Sequence, residues 1–154
     1  MAKKSIGIEN VKVFPRAAMR KVAEKHIGKF KHRVGDKGQD YRGRVMPAYS
    51  EKYATYKSEA RHGGDTQVHP PNFRLSGRTL RALYAKKFST DYYTIGWDGE
   101  PAKIVDGNRS RKKKRDIATN IPDKEKEYVA RELTLVMERE FKKKLKNVRI
   151  TVNV

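Results

Sequence analysis

Two stretches of this chain, residues 15–34 and 123–146, return apolar side chains at the spacing of a single helix face. In the first, Met19, Val22, Ala23, Ile27, Phe30 and Val34 align, and Pro15 suits a first turn. The opposite face carries Arg16, Arg20, Lys21, Lys25, Lys29 and Arg33, and glycines 35 and 38 end the pattern. In the second, Pro122 and Asp123 start a stripe of Val129, Leu133, Val136, Met137, Phe141 and Leu145. Across the chain as a whole, aliphatic residues are scarce. Leu, Ile, Val and Phe make up 31 of 154 residues, a fraction at the edge of what folds at all. Eight tyrosines, one tryptophan and the two stripes argue for folding. The core they close is thin, and neighbouring copies are expected to complete the apolar burial.

Between and around the stripes the remaining elements are short. "SIGIENVKVF" (5–14) and "NVRITVNV" (147–154) alternate as half-buried strands do. "PAYSEKYATYKSEA" (47–60) reads as a short helix capped by Ser50, with Tyr49, Tyr53 and Tyr56 on one face, a spacing that favours a core stripe over a base-stacking platform. Residues 40–47 are irregular, and 61–72, with paired glycines and prolines, are loop. "LSGRTLRALYA" (75–85) suits a helix capped by Ser76 that buries Leu80 and Leu83. "KKFSTDYYTIGW" (86–97) suits a hairpin turning near 89–91, and residues 98–115 read as loop. The order β, α, α, α, ββ, α, β predicts one α+β domain over residues 1–154. In it a small antiparallel sheet carries the two long amphipathic helices packed on one face. The stretch at about 107–116 is a basic loop insertion, and 148–154 is a closing strand.

Thirty-seven Lys and Arg stand against 18 Asp and Glu, a net charge of +19, which predicts a polyanion or strongly acidic surfaces as partners. The absence of cysteine excludes disulfides and thiolate metal sites, and fits a reducing compartment. "MAKKSIGIEN" has no apolar run behind its charge, and no stretch has the ~18 apolar residues of a membrane span. A soluble protein made in the cytoplasm is expected.

No catalytic constellation emerges. His26 and His32 face different ways on one helix, and His62 and His69 with Asp65 form only a loosely spaced trio in a loop. "RHGGD" lacks the strand, Lys-Ser/Thr and helix of a phosphate-cradling loop, and Ser76 lacks the glycines of a nucleophile elbow. Asp36 and Asp40 are isolated acids in a basic background. Tyr92, Tyr93 and Trp97 would divide between two sheet faces and carry no RNA-binding signature. The expectation is a protein that is not an enzyme, with no cofactor and no metal.

"GQDYRGRVMPAYSEKYATYK", then "LSGRTLRAL", "TIGW", "PAKIVDGN" and "RDIATNIP" before the last helix, resembles the virion-morphogenesis family of tailed bacteriophages. Pro47, Ser50, Tyr53 and Lys57 follow the family's "W-x-P-L-S-x-x-Y-x-x-x-K", with one residue more between the proline and the serine. Leu75, Ser76, Gly77 and Leu80 approximate its "L-x-x-S/T-G-x-L". Gly96, Ala102, Gly107, Arg115 and Pro122 echo the later spacing. The chain departs from the pattern at Val45–Met46, at Asp106 and in the basic insertion 109–114. The resemblance implies a structural virion protein at the neck. Tail completion, tail terminator and head–tail connector are its roles there, with six or twelve copies ringed about the DNA passage. Its partners would be itself and other neck, portal-adaptor or tail proteins, with no membrane and no small-molecule substrate. Residues 5–14 or 148–154 would extend a sheet across the subunit boundary.

The run "RSRKKKR" is the expected point of contact with nucleic acid: Arg109, Arg111, Lys112, Lys113, Lys114 and Arg115. A six-fold ring would total about 114 positive charges, while duplex spanning a domain ~40 Å across carries roughly 24 phosphates. Most of the charge therefore faces solvent or acidic protein. A basic, sequence-nonspecific nucleic-acid-binding protein is the alternative, with the run either on phosphates or solvated.

Overall fold

The computed structural model describes residues 15–59, 64–73, 77–88, 92–110 and 115–146. The elements in chain order are α1 (Arg16–Lys31, continued by a π-helical turn His32–Asp36), α2 (Glu51–Ser58), α3 (Arg78–Arg81), β1 (Tyr84–Phe88), β2 (Tyr93–Gly96), α4 (Gly99–Ser110) and α5 (Asp123–Lys146). The fold is α+β, with β1 and β2 forming an antiparallel hairpin with a bulge between Ala85 and Lys87. The expected strands 5–14 and 147–154, the hairpin turn and Ser76 lie outside the described residues.

Helix α1 organises the molecule. Pro15 stands just outside it, extended, and its carbonyl accepts from the N–H groups of Ala18 and Met19. One face of α1 lies on the hairpin and on α5. Phe30 and Val34 join Met46, Leu80, Leu83, Val105 and Ile117 in the core, with Ile27, Phe73, Ile95 and Trp97 packed around them. The Trp97 ring meets Phe30 edge-on and its indole N–H donates to the Thr79 carbonyl at 2.7 Å, so the large ring is both packed and satisfied. Beyond the π-helical turn the chain must pass close to the 70–71 loop. Gly38 has φ +60°, and a Cβ there would lie 2.0 Å from the Pro71 carbonyl oxygen, so only glycine fits.

Several expectations need correction. Residues 99–110 are helix α4 rather than loop. The glycine and proline that suggest a loop sit at the helix start: Gly99 has φ +63°, and Pro101 lies in the first turn, where no backbone N–H is needed. Burial of Val105 anchors that helix. The helix expected over 75–85 is confined to Arg78–Arg81, because Gly77 at φ +72° starts it and β1 claims the chain from Tyr84. It nevertheless buries Leu80, with Leu83 just beyond it. Ser50 occupies the N-cap of α2, but its side chain makes no capping bond. The expected tyrosine stripe is not core: Tyr49, which precedes α2, and Tyr53 are half-buried and Tyr56 is exposed.

Candidate interaction surfaces and the buried polar networks

Among the described residues, several titratable side chains are buried in hydrogen-bond networks. Glu125, in the first turn of α5, is buried between two residues of the first helix and its π-helical extension. His26 Nε2 is 2.9 Å from its Oε1, and Arg33 Nε donates to its Oε2 at 2.6 Å. Arg33 also donates to the carbonyls of Gln39, Asp40 and Ile117. Burial would raise the Glu125 carboxyl, but the bonds and charges of His26 and Arg33 outweigh it and hold the group below its ordinary range. The other His26 nitrogen lies 3.0 Å from the Tyr93 hydroxyl, whose pKa is pushed up to about 12, chiefly by burial and then by the Glu125 charge. Lys25 Nζ and Glu132 Oε2 add a second link at 2.5 Å. Together these bonds pin both α5 and β2 onto α1 and its extension. Helical spacing puts Arg33 on a solvated face; the π-helical turn instead places it inside.

A second network centres on Lys57. Lys57 is fully buried, its ammonium bonded to the Asn72 side-chain oxygen and to the Tyr49 hydroxyl at 3.3 Å, with Asp65 at 3.6 Å. The Tyr49 hydroxyl donates to the Asn72 carbonyl and accepts from the Asn72 N–H at 3.0 Å. Its pKa is raised to about 12, burial outweighing the nearby Arg115 charge. Tyr49 and Lys57, eight residues apart across α2, thus clamp that helix to the 65–72 loop. A lysine in a surface-like sequence gives no sign of this except its place in the resemblance motif. Asp65 is engaged here too, accepting from the Gln67 N–H at 2.7 Å and from the Asn72 side chain. Among the described residues no group of three His, Asp or Glu is placed to hold a metal ion. His62 lies outside them.

The basic run divides. Arg109 lies in the last turn of α4, exposed, with Asp106 at 3.8 Å one turn back. Arg115 folds back on the body: its guanidinium lies 4.1 Å over the Tyr49 ring and donates to the Pro47 carbonyl at 3.1 Å. Its N–H donates to the Asn108 carbonyl at 3.1 Å, tying the two ends of the insertion together. Arg111, Lys112, Lys113 and Lys114 lie outside the described residues.

One recess is markedly apolar. A groove of about 540 Å³ runs between α1, β2 and α5, lined by Met19, Phe30, Leu83, Ile95, Trp97 and Leu133 among others. Tyr92, exposed, stands at its rim, and further along α5 Met137 is 45% and Phe141 64% exposed. The side chain of Leu145, the last of the stripe, lies outside the described residues. The stripe on α5 therefore exceeds what α1 covers. No helix among the described residues is long and apolar enough to cross a membrane.

Compared with models of known protein families, with curated proteins and with solved structures, the chain matches none.

Proposed function

We propose that this chain is a non-enzymatic structural virion protein of a tailed bacteriophage, forming a homo-oligomeric ring at the head–tail junction. The observation that carries the reading is the apolar surface left open along α5 and its groove. In a chain with so few aliphatic residues, large apolar side chains left in water mark a place where another protein sits. A closed ring buries such a surface once per copy and leaves none unmatched. The motif resemblance supplies the location, and the two buried networks supply a rigid subunit. His26, Arg33 and Glu125 hold α5 in place, and Tyr49 and Lys57 hold α2.

The test is direct. The purified chain, freed of nucleic acid, gives discrete rings in negative-stain images and a mass several times that of one copy by light scattering. The alternative, a nonspecific nucleic-acid-binding protein, gives single copies or dimers with tight DNA or RNA binding at low salt. Single copies that cleave DNA when magnesium is added would overturn the non-enzymatic reading.

A further inference from the structure

Charge is spread over the whole surface, so a binding site has to be found by arrangement rather than by count. One arrangement stands out. Asp40–Val45 forms a tight turn in which the Asp40 carboxylate accepts from the N–H groups of Arg42 and Arg44 at 2.8 and 3.0 Å, with Gly43 at φ +77°. The Tyr41 N–H donates to the Asp116 carbonyl at 2.8 Å, so this turn is tied to the segment after the basic insertion. Asp116 is engaged in turn by the N–H groups of Ala118 and Thr119. The turn therefore holds two arginines on a fixed backbone. Arg42 Nε donates to the Tyr41 hydroxyl at 2.6 Å and its guanidinium stacks over that ring, which leaves its two terminal nitrogens to point onward. Among the described residues, neither those nitrogens nor the Arg44 side chain has a hydrogen-bond or ion-pair partner.

Arg42 also lies on the ridge between two clefts. One is lined by Arg44 and Arg109, the other by Lys29, Lys37 and Lys124. Along both clefts these six cations are exposed; the one exposed carboxylate lining them, Asp123, is paired with Lys126 at 3.0 Å, while just outside the lining Asp106 lies 3.8 Å from Arg109 and Asp36 is bonded to His32. The remaining acids, Asp40, Asp116 and Glu125, are held by backbone N–H groups or by Arg33 and His26. Among the described residues, Lys29, Lys37, Arg42, Arg44 and Lys124 have no carboxylate within ion-pair reach. Separate elements thus contribute to one continuous band, and its centre is arginine, whose planar fork matches phosphate oxygens.

We propose that this band, centred on Lys37, Arg42 and Arg44, is a phosphodiester-backbone site that binds duplex DNA without regard to sequence. It deepens the ring reading, naming the face that would meet the DNA, yet a single copy is enough to test it. Each phosphate that the protein ceases to neutralise lowers the slope of log affinity against log salt by about 0.9. The triple variant Lys37→Gln, Arg42→Gln, Arg44→Gln is compared with Lys21→Gln, Lys103→Gln, Lys142→Gln. The second set removes the same charge from exposed lysines on α1, α4 and α5. With a short labelled duplex as probe, the band variant loses about 2.7 from the salt slope, and the control variant less than a third of that. Should the triple variant unfold on heating earlier than the parent, Arg44→Gln alone carries the test, with an expected loss of about 0.9. Equal losses in both triple variants would reduce the effect to net charge and overturn the proposal. So would displacement of the duplex by polyglutamate more readily than by unlabelled duplex of equal charge, which would point to an acidic protein instead. Light scattering on the same samples reads assembly separately: loss of the ring with the band effect intact counts against the ring alone.

Discussion

A buried lysine is costly unless every one of its partners is in place. Lys57 meets that condition through Asn72, Tyr49 and Asp65, and removing it leaves their buried oxygens short of a donor. Lys57→Met is therefore expected to destabilise the fold by about 1–3 kcal/mol, despite matching volume and added hydrophobicity. Urea unfolding checks this, and a loss under about 0.5 kcal/mol would show that the clamp is idle. Glu125 makes the complementary case for pH. Its carboxyl is held below the ordinary value of 4.5 in the fold, so the group stabilises the native state above that pH. That contribution fades as the pH falls through the lower, folded value. Glu125→Gln should lose stability at neutral pH and show a shallower decline than the parent as the pH falls below 4.5. Parallel declines for the two proteins would assign the acid loss to other carboxylates. Neither residue is legible as structural from the sequence. Helical spacing reports which face is apolar, but it cannot tell a cation in water from one turned inward by a π-helical turn.

Elements differ in how plainly they are written. The helices α1 and α5 are readable nearly to their ends, because long stripes average over local irregularity. The hairpin is readable from its β-rich flanks. Helix α4 escapes notice because Gly99 and Pro101 punctuate its first turn, where both are tolerated, and one buried residue, Val105, is too little periodicity to see. Tyr49, Tyr53 and Tyr56 have the spacing of a core stripe, yet Tyr49 serves as a hydrogen-bonding post and a seat for Arg115. Between elements, the joint after α1 depends on Gly38. Gly38→Ala places a methyl group against the Pro71 carbonyl and forces a left-handed backbone, and is expected to cost at least about 2 kcal/mol. Thermal unfolding reads the change. An unaltered midpoint would mean the 70–71 loop moves aside freely. Of the surfaces, the basic insertion is visible as charge alone. The arginines at 42 and 44, fixed by Asp40, are not, since a cation's place relative to a distant cleft is set by tertiary packing.

At the scale of the whole molecule, self-association through the uncovered α5 surface is the central claim. Burying a side chain such as Phe141 at a boundary between copies is worth about 1.5–3 kcal/mol, or roughly ten- to a hundred-fold in affinity for each boundary. Phe141→Asp, at a position already 64% exposed, should leave the single copy as stable as the parent while dispersing the assembly. The most direct measurement is the solution mass of the nucleic-acid-free protein by light scattering, parent beside Phe141→Asp. A discrete multiple of 17.8 kDa is predicted for the parent, with a shift toward single copies for the variant. A parent that stays at 17.8 kDa at high concentration, folded and resistant to heat, would contradict it.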